Sequence, residues 1–223
     1  IFISCAYAKA NVRIVGSDPG VTAAYNGGTH MPFEDMGTLM SIPKITLVEP
    51  TDSVQLRWLL QTLEKEYGVY YIRLLRKNAV GVFEEGSQFQ LGRFARLREG
   101  TDAAVVCSGI MVGEALKAAA LLEGEGIRIA VLNAFTWKPM DDETLAEYAR
   151  SCGCVVTAEN HNILGGLGSA VANSLSRSCP VPVEMVGVED EFGEVGTEDF
   201  LRKRFDLTAE HIVRAVRAAM ARK

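Results

Sequence analysis

Of the three histidines in the 223-residue chain, His30 falls in the polar stretch AYNGGTHMPFED (24–35), beside Asn26, Thr29, Glu34 and Asp35 and shortly after Asp18. An imidazole titrates near neutral pH and both donates and accepts hydrogen bonds, so it can carry a proton or hold an oxygen of a polar substrate. The neighbouring amide, hydroxyl and carboxylates extend that hydrogen-bonding set. Gly27 and Gly28 allow the positive φ that a sharp bend takes. The same residues also fit a solvated connection, with Glu34 and Asp35 placed to favour the first turn of a following helix. What holds the turn decides between the two.

The turn follows VRIVG (12–16), a strand-like run, so it sits where α/β sheets bind ligands, beyond a strand's carboxyl end. A short helix is expected to begin near Glu34. It is followed by ITLVEP (45–50), the helix SVQLRWLLQTLEKEY (53–67) and VYYIRLL (69–75). Thr51 or Asp52 caps that helix. Residues 81–101 are Gly-rich and charged without a helical stripe and read as a linker over a surface. A second series starts with AAVVCSG (103–109), MVGEALKAAALLEGEG (111–126) and IRIAVLNA (127–134). It continues through a helix from Asp141, CVVTAEN (154–160), a helix after GGLG (165–168), VPVEMVGV (181–188) and the amphipathic AEHIVRAVRAAMAR (209–222). Short continuous apolar runs separated by helices mean parallel strands covered on both faces. The expected fold is α/β, with two domains of mainly parallel sheet flanked by helices: 1–83, a linker over 84–101, and 102–223.

Apolar residues at 48%, charged residues at 23% and a net charge of −5 describe an ordinary globular protein. No basic stripe interleaves with aromatics, no apolar run reaches the length of a membrane span, and no signal peptide is visible. Neither a nucleic-acid nor a membrane partner is expected. The chain opens on Ile1 and not Met, so further residues are expected upstream. Five cysteines at irregular spacing argue against a secreted disulfide framework and for a reducing cytoplasm. Cys152 and Cys154 lie where a helix gives way to a strand, with no second Cys/His pair nearby, and read as buried thiols and not a zinc site. The glycines of GGLGSAV open a helix but lack a clear acidic partner for a ribose, which leaves a dinucleotide reading weak. Trp137 reads as core, Pro139 as a turn, and His211 as surface.

Several segments in order, GGTHMPFED, IPKITLVEPTD, YIRLLRKN, GIRIAVLNAFTWKPMDDE and AENHNILGGLGSAV, resemble the transketolase family of thiamine-diphosphate enzymes, and the resemblance covers nearly the whole chain. It implies the later part of a pyrimidine-binding domain, incomplete at its N-terminus, followed by the family's C-terminal domain. The chain looks most like the C-terminal subunit of a split transketolase. The implied cofactor is thiamine diphosphate, with its Mg2+ held mainly by a separate N-terminal subunit, so this chain is expected to hold no metal ligand. The implied partners are that N-terminal subunit, a second copy of this chain within a heterotetramer, and sugar phosphates. The implied reaction moves a two-carbon ketol unit from a ketose phosphate to an aldose phosphate. The family glutamate that activates the cofactor is expected before Ile1.

Residue by residue, the resemblance makes His30 the catalytic contact to the sugar's oxygens and Arg76 the holder of a sugar phosphate, a role for which guanidinium is suited. Asn26 stands where the family often has an aspartate that reads a hydroxyl, and Asp18 where it often has a histidine. Both keep hydrogen-bonding capacity while departing from the pattern. Phe2 matches an aromatic that packs on the cofactor's aminopyrimidine ring. Between FISC and AYAKANV the family has a longer segment, commonly a helix. Arg73 alternates with apolar strand positions and reads as a structural partner, and Glu159 with His161 as a polar pair at an interface. Two other readings are carried beside this one: the beta subunit of a 2-oxo acid dehydrogenase, whose turn usually lacks Thr-His, and a non-catalytic scaffold.

Overall fold

The computed structural model describes residues 1–75 and 79–223. The first half folds as β1 (Val12–Ser17), α1 (Asp35–Met40), β2 (Ile45–Val48), α2 (Ser53–Leu63) and β3 (Val69–Leu74). The second half begins with β4 (Ala95–Arg98), β5 (Ala103–Cys107), α3 (Met111–Glu123), β6 (Ile129–Asn133) and β7 (Thr136–Lys138). It continues with α4 (Asp142–Cys152), β8 (Val155–Asn162), α5 (Leu167–Ser178), β9 (Val183–Val188), α6 (Glu198–Arg204) and α7 (Ala209–Met220). β1, β3 and β2 lie side by side and parallel in that order, with β7 antiparallel on the far edge of β2. The second sheet runs β4-β6-β5-β8-β9, parallel except for β4. This is the α/β architecture, two mainly parallel sheets flanked by helices, that the apolar runs imply.

Local chemistry starts the helices where the sequence signals them. Asp52 caps α2, one carboxylate oxygen accepting from Gln55 N at 2.9 Å and the other from Val82 N and Phe83 N at 2.8 Å. Asp141 caps α4 through Thr144 N at 3.1 Å and also takes Phe94 N at 2.9 Å. Both caps therefore pin the chain between β3 and β5 to the body of the protein.

Two features depart from the reading of the sequence. The stretch taken as a linker ends in β4, which pairs with β6 at the sheet edge. Its Ala-Arg-Leu-Arg pattern looks polar because Arg96 and Arg98 reach out to Glu147 and Glu123, at 2.8 and 2.7 Å. In addition, β7 leaves the second half to join the first sheet, so the halves interlock. Three residues paired with a distant strand leave no periodicity to read. One apolar core accordingly joins Met36, Leu47 and Tyr71 to Trp137, Leu145 and Leu167. Another joins Val21, Met31 and Phe33 to Val188, Leu201 and Phe205.

All five cysteines are free, and Cys152 and Cys154 are buried with their thiols near the carbonyls of Gly100 and Asp102, at 3.5 and 3.6 Å. Burial pushes both thiols up, away from the reactive thiolate. Among the described residues no helix is long and apolar enough to cross a membrane.

Candidate functional site

A cleft of about 980 Å³ opens where β1, β8 and β9 end, lined by Asp18, Asn26, His30 and Glu34 from one half and by Asn162 and Asp190–Gly193 from the other. The His30 stretch reaches it by a tightly folded path. Asp18, left-handed at φ 59, turns the chain out of β1, and Gly20 N returns to Pro32 O at 3.0 Å, closing the base of the loop. Ala24 adopts φ 48 and ψ −116, a conformation of glycine and not alanine. Two consecutive turns then follow, Gly27 N to Ala24 O at 3.1 Å and His30 N to Gly27 O at 3.0 Å, and these carry Asn26 and His30. The Thr29 hydroxyl pairs with His30 Nδ1 at 2.9 Å, leaving Nε2 as the nitrogen a bound oxygen would meet.

The second half holds this loop. Asn160 accepts from Val21 N at 3.0 Å through Oδ1 and donates to Pro19 O at 2.9 Å through Nδ2. Asn162 N donates to Phe33 O at 2.8 Å, and the Phe33 and Phe205 rings meet edge to face at 5.3 Å. These supports hold the two flanks of the loop, at Pro19–Val21 and Phe33, while Asn26, Thr29 and His30 between them are exposed to the cleft.

Beneath the loop lies a buried charge cluster. Arg73, 1% exposed, donates to Asp35 at 2.9 and 3.0 Å, to Glu49 at 2.8 Å, and to the Pro32 and Asn160 carbonyls at 3.3 and 3.0 Å. Burial by itself would raise the Asp35 carboxyl, but the Arg73 guanidinium and the Tyr71 hydroxyl, 2.8 Å away, outweigh it and hold it below the usual carboxylate range. Glu49 also accepts from the Ser108 hydroxyl at 2.5 Å, and Ser108 accepts from the Trp137 ring nitrogen at 3.0 Å. Arg73 is thus a structural partner that ties α1, β2 and β8 to the loop.

Glu159 and His161 are fully buried, with 3.7 Å between carboxylate and Nδ1. The Glu159 carboxylate accepts from Leu167 N at 2.6 Å and Gly168 N at 2.8 Å. The protein's own acid therefore fills the anion position at the start of α5, and a side chain on Gly166 would run into it. That leaves the GGLG turn no room for a nucleotide phosphate. Burial pushes the Glu159 carboxyl up to about 8 against the pull of these two donors. It lowers the His161 imidazole to about 4, with Arg73 adding to the effect.

Of the residues singled out in the sequence, Asp18, Asn26 and His30 share the cleft. Arg76 lies outside the described residues. Phe2 is not brought to the cleft: half exposed, it lines a separate hollow with Lys9, Lys44 and Tyr67 at the amino ends of the first sheet's strands. Residues Phe2–Tyr7 form a single helical turn directly before β1 and span too little to reach the other end of that sheet. No group of three or more metal-ligating side chains occurs among the described residues. Asn162 and the loop Asp190–Gly193 were not singled out. The signal available for them was the acid- and glycine-rich stretch after the last strand, the same strand-end rule that exposed His30.

A family model described as the transketolase C-terminal domain matches residues 92–212. The chain is 50% identical over 223 residues to the 6-deoxy-6-sulfo-D-fructose transketolase subunit SqwH of Clostridium sp. (strain MSTE9), covering all of this chain and 69% of that protein. It is 34% identical over 190 residues to one subunit of the apulose-4-phosphate transketolase of Phocaeicola vulgatus, covering 85% of this chain and 61% of that one. A solved split-gene transketolase, described as an inactive beta4 tetramer, is 41% identical with a TM-score of 0.94, over 100% of this chain and 71% of its own. With the loop, the cleft and the whole-length similarity in agreement, the chain belongs to the transketolase family.

Proposed function

We propose that this chain is the C-terminal subunit of a thiamine-diphosphate-dependent transketolase that moves a two-carbon ketol unit from a ketose phosphate to an aldose phosphate. The observation that carries the reading is the shared cleft: in a chain of this family, His30, Asn26 and Asp18 line one cavity at the end of β1. The subunit names of the relatives and the tetrameric split-gene neighbour support an N-terminal partner chain and self-association. That partner would carry the diphosphate and its Mg2+. Phe2, the residue expected against the cofactor's ring, does not fit that role as folded here, so this chain's own part is read on the sugar.

His30 would hold a carbonyl or hydroxyl oxygen through Nε2, with Thr29 fixing the ring through Nδ1. As the oxygen gains negative charge, an imidazole N–H placed on it stabilises that charge and can pass the proton. Asn26 and Asp18 would read adjacent hydroxyls, the carboxylate as acceptor and the amide as both donor and acceptor. Arg76 would pair with the anionic end of the sugar.

The test is two-carbon transfer from xylulose 5-phosphate to ribose 5-phosphate by this chain with its N-terminal partner, thiamine diphosphate and Mg2+. The 6-deoxy-6-sulfofructose named in the first relative serves as a second donor. Transfer is expected only with the partner, with His30→Ala lowering kcat/KM about 100- to 10,000-fold. The absence of transfer from either donor, with the partner bound, overturns the reading.

A further inference from the structure

Nothing in the sequence joins the loop after β9 to the His30 turn, which lies in the other half of the chain, yet the backbones of Gly193 and Gly28 approach closely. A side chain on Gly28 would lie well inside contact distance of the Gly193 carbonyl oxygen. In the other direction, a Cβ on Gly193 would stand 3.1 Å from Gly28 Cα, 3.1 Å from Met31 Cβ and 2.7 Å from Met31 Sδ. One residue earlier in the turn, a Cβ on Gly27 would meet Val195 Cγ2 at 2.7 Å. Gly28 and Met31 bracket the two residues Thr29 and His30, so these contacts press on both flanks of the segment that sets the imidazole.

We propose that Gly193 is a positioning residue for His30, and that the Gly193–Val195 segment is a stop against which the substrate turn is seated. The inference rests on the transketolase reading for what His30 does, but not for where it stands. Three features support it. The contact at Gly28 is backbone on backbone, which cannot be relieved by a rotamer change, so the turn is held where a soft side chain would let it drift. The turn itself needs an outside support, because Ala24 within it is held in a glycine conformation and such strain persists only where the surroundings over-determine it. The loop is in turn anchored by charge, Arg204 pairing with Glu191 at 2.5 Å and with Glu194 at 2.7 Å on either side of Gly193. These pairs are surface ion pairs of small individual worth, but they bracket one short segment from one guanidinium.

The size of the effect follows from the gaps. Adding a methyl at Gly193 requires its neighbours to yield by a few tenths of an ångström, with the flexible Met31 thioether taking part of it. Adding one at Gly28 requires backbone to move by on the order of an ångström, a displacement that costs about 100-fold when it misplaces a catalytic group.

The experiment uses this chain assembled with its N-terminal partner and compares Gly193→Ala and Gly28→Ala with Gly113→Ala, a helical glycine whose added methyl would meet open space. The expected losses in kcat/KM are about 10-fold and at least about 100-fold, with no loss for the control. Combined with His30→Ala, Gly193→Ala should have little further effect, since there is no imidazole left to place. A second readout needs no turnover. The three histidines give three imidazole NMR signals, and the His30 signal, assigned with His30→Ala, should move in Gly193→Ala and stay in Gly113→Ala. An unmoved His30 signal, or a loss that multiplies fully with that of His30→Ala, overturns the inference. Absence of transfer by the wild-type assembly overturns the transketolase reading instead, and the NMR comparison still decides this one.

Discussion

Replacing Arg73 by methionine keeps most of the stem volume and removes the guanidinium, so it isolates what the buried charge does. In the native protein that group makes three charge-assisted hydrogen bonds, two to Asp35 and one to Glu49, and two more to the Pro32 and Asn160 carbonyls. Without it Glu49 keeps Ser108 and Asp35 keeps Tyr71, one hydroxyl donor each for two carboxylates in a desolvated setting. Breaking a buried ion pair from one side costs about 3–5 kcal/mol because the remaining charge has lost its partner. At this chain length that corresponds to a fall in Tm of about 6–20 °C. The cost has a recognisable pH dependence. The Asp35 carboxyl is held below its ordinary value, so its contribution to stability is present above that value and is lost as pH falls through the folded one. The gap between Arg73→Met and wild type should therefore be widest near neutral pH and narrow below about pH 4. Adding Glu49→Gln to Arg73→Met should restore part of the loss, since it removes one of the two stranded charges. Thermal melts by circular dichroism from pH 3.5 to 7.5 read all of this. A Tm within about 2 °C of wild type at pH 7 would show that the cluster is not the tie between loop and sheet that its geometry indicates.

Other perturbations probe separate links. Ala24→Gly exchanges about 1–3 kcal/mol of backbone strain for the roughly 0.5–1 kcal/mol entropy cost of glycine. It should leave the protein equally or slightly more stable, whereas Ala24→Val should destabilise it, and urea unfolding distinguishes the two. Glu159 and His161 bias stability in opposite directions. A carboxyl raised to about 8 costs stability as pH climbs from its unfolded value, and an imidazole lowered to about 4 costs stability as pH falls from about 6.5. The two oppose each other between about pH 4.5 and 6.5. Above that range only Glu159 acts, at about 1.4 kcal/mol per pH unit, so stability should drop by about 2 kcal/mol from pH 6.5 to 8. Glu159→Gln should flatten that slope, and an unchanged slope would reassign it to another group.

The strands and long helices could be read because burial on both faces forces continuous apolar runs, as in AAVVC and IRIAVLN, and because Asp52 and Asp141 announce their helices by capping them. The cleft could be read on one side only. His30 and its glycines stand out by type, as a rare imidazole in a polar turn at a strand end. Asn162 and Gly193 have ordinary identities and matter through whom they touch, and the chain does not write its long-range contacts into local composition. β4 was hidden for a related reason: arginines on an edge strand put their charge in solvent while their backbone pairs. Phe2 was placed by family resemblance alone, with no residue pattern of its own around it to fix where the segment runs.

The interlocking of the halves explains why the second half, which has almost no chemical motifs of its own, lines the same cleft as His30. Several supports of the His30 loop come from beyond position 159: Asn160 on Val21 and Pro19, Asn162 on Phe33, Phe205 on Phe33, and Gly193 on Gly28. Arg73 completes the set from the first sheet, but it too bonds to Asn160. A turn containing a strained alanine and two glycines would sample many conformations if supported only locally, because glycine costs more backbone entropy to fix than any other residue. On the proposed reading the chemistry lies on the first half, and contacts from the second half hold the loop that carries it. The loop can be bent enough to present Asn26 and His30 together, while the second sheet absorbs the cost of holding it bent.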